Sequence, residues 1–152
     1  NNIHHTDVSV GVRRGDPECA CLKEVISIDP NTFYHQLSPH YDTDLSYCPL
    51  MNCTYNFITD DDYGIVYKIN DLDLSGPNDY IDAFLGHQSK SFALRYTDTE
   101  NDEKPVDVGS SHLTIIFITN ETISGNGFNI TIYAVPKNKY NYLYLTLAIL
   151  VT

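Results

Sequence analysis

The strongest constraint on this chain is the alternation of apolar and polar residues across residues 112–135, HLTIIFITNETISGNGFNITIYAV. Leu113, Ile115 and Phe117 occupy every second position. Phe128, Ile130, Ile132 and Ala134 repeat the pattern after a polar, glycine-punctuated connection. A period of two belongs to a β-strand with one face in a core and the other in water. Asn126-Gly127 tolerates positive φ at both residues, so it predicts a tight reversal and the whole stretch reads as a β-hairpin.

Shorter pieces carry the same signal. Cys53, Tyr55 and Phe57 share one strand face, residues 65–69 and 72–74 form a strand region, and Tyr80, Asp82 and Phe84 lie on one side of a further segment. Residues 92–96 make another short strand, and the polar, charged residues 97–109 read as a surface loop. No segment sustains a helical period, and turn residues recur at short intervals. Many short strands so punctuated predict an all-β, antiparallel sandwich or barrel. A length of 152 residues suits one domain and supports a real core.

The formal net charge of −11 repels phosphate backbones and anionic headgroups, which excludes nucleic acid as a partner. It is compatible with calcium, with basic protein partners, and with plain solubility. Cys19, Cys21, Cys48 and Cys53 form no CxxC pair and have no His at zinc-site spacing. Bridging Cys19 to Cys21 would strain a three-residue ring, so two long-range bridges join the 19/21 pair to the 48/53 pair, nested or crossed. Each closes a loop of about 30 residues and stabilises the fold by restricting the unfolded chain. Sequons at Asn52, Asn120 and Asn129 accompany this even cysteine count, and together they point to an extracellular, secreted chain. No signal peptide is visible, as in a secreted chain after cleavage.

The catalytic fingerprints are missing: there is no GxSxG, HExxH, Walker loop or glycine-rich dinucleotide motif. Paired cysteines leave no nucleophilic thiol, and His35, His40, His87 and His112 are dispersed. The sequence predicts no enzyme. Near the start, His4-His5 lacks a third ligand, residues 7–12 alternate as a short strand, and Arg14-Gly15-Asp16 before Pro17 reads as a turn rather than an adhesion motif.

Five blocks in order now acquire a common meaning: Ser38-Pro39-His40-Tyr41, Cys53 to Phe57, Asn78 to Phe84, Leu113 to Phe117, and Gly127 to Tyr133. Over about residues 19–135 they resemble the SP-x-Y, C-x-W-x-I, YDYLEVY, L-x-I-x-F and GF-x-x-x-Y blocks of the CUB domain family. The resemblance implies a jelly-roll-like β-sandwich of extracellular proteins used for protein–protein recognition. Departures are visible: Tyr55 stands where the family has Trp, and Gly76 stands where the first cysteine of the family's second disulfide would be. The resemblance also implies a calcium site on the loops beside the Asn78 to Phe84 block and the last hairpin. Asp79 matches its central ligand, Asp73 its upstream acid, and Asn120 its third acidic position. A hydrogen-bonded structural role is the competing reading of Asp79. No other cofactor is implied.

A CUB domain ends near Val135, which divides the chain into an N-terminal extension (1–18), a CUB-like sandwich (19–136) and a C-terminal extension (137–152). In that last extension Leu143, Leu145, Leu147, Ile149 and Val151 alternate as a strongly apolar strand that must be buried somewhere. It falls short of the roughly 20 residues of a membrane helix, so a membrane span stays open only if the chain is truncated at residue 152. It either completes its own domain or adds to the sheet of another molecule, and head-to-tail exchange between copies gives filaments. The first expectation is a non-enzymatic extracellular structural protein that self-assembles or docks by β-strand addition, a homo-oligomer or polymer. The alternative is a ligand-recognition module, calcium-dependent through Asp73, Asp79 and Asn120, of a larger secreted or membrane-anchored protein.

Overall fold

The structure, a computed structural model, describes residues 17–21, 25–85, 93–101, 103–121 and 125–137. The predicted strand at 7–12, the His4-His5 pair, Arg14-Gly15-Asp16, and the tail carrying Leu143 to Val151 all lie outside these residues. After a short 3-10 turn (Pro17–Cys19) come β1 (Val25–Ser27), β2 (Tyr34–Leu37), β3 (Asn52–Ile58), β4 (Tyr63–Asp73) and β5 (Tyr80–Leu85). They are followed by β6 (Ala93–Thr97), β7 (Thr99–Asn101), β8 (Val106–Asp107), β9 (His112–Ile118) and β10 (Gly127–Pro136).

The strands form two sheets facing one core, a β-sandwich. One sheet runs β1-β3-β9-β5-β6; the other runs β2-β10-β4-β7, with β8 also on β4. Only the β1–β3 pairing is parallel among those described. Alternation decides which residues enter the core: Leu113, Ile115 and Phe117 from β9, and Phe128, Ile130, Ile132 and Ala134 from β10, are buried. Ile81 and Ala83 of β5 and Cys53 and Phe57 of β3 join them. Each such large side chain contributes about 1.5–3 kcal/mol by leaving water.

β9 and β10 do not form the expected hairpin. β9 pairs with β3 and β5, whereas β10 pairs with β2 and β4 in the opposite sheet. Period-two alternation fixes which face is apolar but not which strand lies alongside. Placing the strands in opposite sheets turns both apolar faces onto one another, and Phe117 meets Phe128 edge to face at 4.9 Å. Gly127, with φ of +93°, is required for a different reason than a tight turn: a Cβ there would lie 1.9 Å from Ser38 Oγ.

Two further points concern β4. The expected strand region at 65–74 is one continuous strand that ends at Asp73, with a register shift opposite Asn129 and Ile130 that leaves Asn70 as the extra residue. Asn70 Nδ2 there donates to Asn129 Oδ1 at 3.1 Å and Thr131 Oγ1 at 2.7 Å. The expected loop at 97–109 contains β7 and β8, which pair with β4 through backbone hydrogen bonds that side-chain polarity does not report.

Candidate functional site

Two places on the sandwich gather chemistry. The first is the loop corner that holds the expected calcium ligands. Asp79, fully buried at 0% exposure, sits at the foot of β5 in the turn closed by its backbone N–H on the Gly76 carbonyl. Its Oδ2 accepts a 2.5 Å hydrogen bond from Tyr47 Oη, and its Oδ1 accepts the Asn120 backbone N–H at 2.8 Å. Tyr47, also fully buried, accepts the Ser75 N–H on the same oxygen at 2.7 Å, so its own proton points at Asp79. Burial first, and then the Asp79 carboxylate, push the Tyr47 hydroxyl up to about 12, so it stays protonated and donating at neutral pH. Thr119 ties the same loops by accepting from Met51 N and donating to the Cys48 carbonyl, both at 2.8 Å.

Asp73 Oδ2 accepts the Asn126 N–H at 3.0 Å, against the Gly125 turn. Calcium takes six to eight oxygens at about 2.3–2.6 Å, drawn largely from carboxylates. Here the third acidic position is an amide, and both oxygens of Asp79 already hold strong internal donors. The residues present do not fit a calcium cage. Among the described residues, the one cluster of three His, Cys or carboxylate groups is Cys19, His40 and Cys48. Its two sulfurs are joined to each other, which removes the thiolates a metal would need.

The cysteines pair as Cys19–Cys48 and Cys21–Cys53, with Cα separations of 5.7 and 5.2 Å, so the two bridges cross. No free thiol remains among them.

The second place is a cleft of about 460 Å³ where the sandwich lies open between the edge strands β1 and β2. Ile26, Tyr34, Leu37, Tyr41 and Tyr55 supply its apolar wall. Tyr55 is anchored against Phe128, and Tyr34 against Phe57, so the wall is braced from the core. Burial, then the neighbouring Tyr34, raise the Tyr55 hydroxyl to about 12. Tyr41 Oη donates to Asp71 Oδ2 at 2.9 Å. At the mouth Glu18, its side chain 67% exposed, meets His40 Nδ1 at 3.1 Å.

Of the sequons, Asn52 is exposed at the start of β3, while Asn120 and Asn129 are half-buried. Sequence reasoning missed Tyr47, which no periodic pattern marks, and it missed the cleft. The Ser38-Pro39-His40-Tyr41 block was the one available pointer to that wall.

The family model described as CUB domain matches residues 26–132. A search of curated proteins returns no match. Among solved structures, the MASP-1 CUB2 domain bound to Ca2+ aligns at 17% identity and a TM-score of 0.61, covering 74% of this chain and 99% of that one. The CUB1-EGF-CUB2 domains of rat MASP-1 align at 16% identity and 0.62, covering 75% and 41%. The full extracellular region of zebrafish Gpr126/Adgrg6 aligns at 13% identity and 0.64, covering 77% of this chain. The chain spans 15% of that extracellular region's length. At these identities the likeness is one of fold.

Proposed function

The chain belongs to the CUB domain family, and from that premise we propose that it is a non-enzymatic, extracellular recognition module whose protein ligand seats in the cleft between β1 and β2. The domain of residues 19–136 is the recognition unit, flanked by extensions at 1–18 and 137–152. CUB domains are binding modules of extracellular proteins, and disulfides of the kind seen here suit an oxidising compartment. Glycans at Asn52, Asn120 and Asn129 belong to the same reading.

The cleft carries the proposal. Its volume lies within the roughly 300–1,000 Å³ of ligand pockets, and its wall is aromatic with a few polar groups. Aromatic anchors held rigid from behind give contact area at low entropic cost. Leu37, 43% exposed on an edge strand, extends the apolar surface outward. A net charge of −11 favours a partner with a basic rim.

Assembly through Leu143, Leu145, Leu147, Ile149 and Val151 rests on residues outside the described ones, and no observation on the sandwich favours it over recognition. Peptide display against the full chain tests the recognition reading. Selected peptides lose binding at least about tenfold to Leu37→Glu, which keeps the wild-type melting temperature, and to Tyr41→Ala, which remains folded at the assay temperature. Peptides that bind these variants as well as the wild type would place recognition elsewhere. Light scattering on the same full chain gives a monomer in this reading.

A further inference from the structure

The loop corner differs from the cation site that its family implies, and the difference has content of its own. Three chain segments distant in sequence converge on one buried carboxylate. The segment before β3 brings Tyr47, the β4–β5 turn brings Ser75 and Asp79, and the segment after β9 brings Asn120. The same segments are cross-tied by Leu50 N–H to the Asn120 carbonyl at 3.0 Å and by the two Thr119 bonds. A cation that gathered these loops would have to share both carboxylate oxygens with the Tyr47 and Asn120 donors inside a fully buried corner. It would also need a second charge to replace the acid absent at position 120.

We propose that Tyr47, Asp79 and the Asn120 backbone amide form a hydrogen-bonded clasp that fixes this corner without a divalent cation, making the stability of the domain independent of calcium. In the clasp Asp79 is a positioning residue: it touches no ligand and orders three loops. Its charge is balanced by two donors, one of them held in donating orientation by Ser75, so burial does not leave it unsatisfied. The raised Tyr47 hydroxyl keeps its proton throughout the neutral range.

The test uses the full chain. Melting in EDTA and in millimolar calcium chloride gives one Tm, and titration of calcium chloride gives no saturable heat. Tyr47→Phe removes the short donor to Asp79 and the hydroxyl that accepts the Ser75 N–H, lowering Tm by about 5–10 °C equally in both buffers. A calcium-dependent rise in wild-type Tm that Asp79→Asn abolishes would overturn the proposal, as would a Tyr47→Phe variant that melts like wild type. If either variant fails to fold, the wild-type titration alone decides.

Discussion

The crossed bridges make a quantitative prediction about how their contributions combine. Cys19–Cys48 and Cys21–Cys53 span sequence separations of 29 and 32. Alone, either closes a loop of about 30 residues, and restricting the unfolded chain that far is worth about 3.7 kcal/mol. Once one bridge exists, the second closes a far shorter circuit, two residues from Cys19 to Cys21 and five from Cys48 to Cys53. A loop of about 8 residues is worth about 2.5 kcal/mol. Removing one bridge by Cys19→Ala/Cys48→Ala, or by Cys21→Ala/Cys53→Ala, therefore costs about 2.5 kcal/mol through the unfolded state. Removing both costs about 6 kcal/mol, exceeding the sum of the two single losses by about 1 kcal/mol. Cys48 and Cys53 are both buried, so each pair adds a packing loss of its own, which cancels in the cycle. Urea unfolding of the four oxidised proteins in a common osmolyte reads the coupling. Losses that simply add, or a quadruple variant that loses less than the sum, would refute the shared-circuit argument.

Two predictions concern single groups. Gly127→Ala sets a methyl against Ser38 Oγ at a φ of +93° and breaks the Ser38 Oγ contact with Phe128 N–H, so it costs more than about 3 kcal/mol in chemical unfolding; a neutral variant would show that β10 can shift. Tyr47 and Tyr55 ionise near 12 when folded but near 10 when unfolded, so stability is complete below about pH 10 and falls as pH climbs toward 12. Phenolate absorbance followed with circular dichroism should show their ionisation only as the sheet melts, and full titration near pH 10 with the fold intact would contradict this.

The faces of β9 and β10 were legible because burial acts on every second residue, and Leu113 to Phe117 and Phe128 to Ala134 obey it. Their partners were not legible, since alternation is the same whether two strands lie side by side or across a core. Asn126-Gly127 carried a true signal for unusual backbone but not its cause, the close approach of Ser38. Asp79 was readable from its block. Tyr47 was not, because its role depends on loops far away in sequence that meet only in the fold. The cleft was hidden for the same reason, being made by edges of two sheets rather than by any contiguous stretch.

The order in which the strands are delivered bears on synthesis. β9 is the middle strand of its sheet, and β10 lies between β2 and β4, yet these are the last two of the described strands to leave the ribosome. The first layer lacks continuous pairing until β9 has emerged to Ile118, and the second until β10 has emerged to Pro136, so the earlier strands wait as unjoined edges. A nascent chain stopped short of β9 retains two incomplete half-sheets, each missing its bridge, and is a natural client for chaperones.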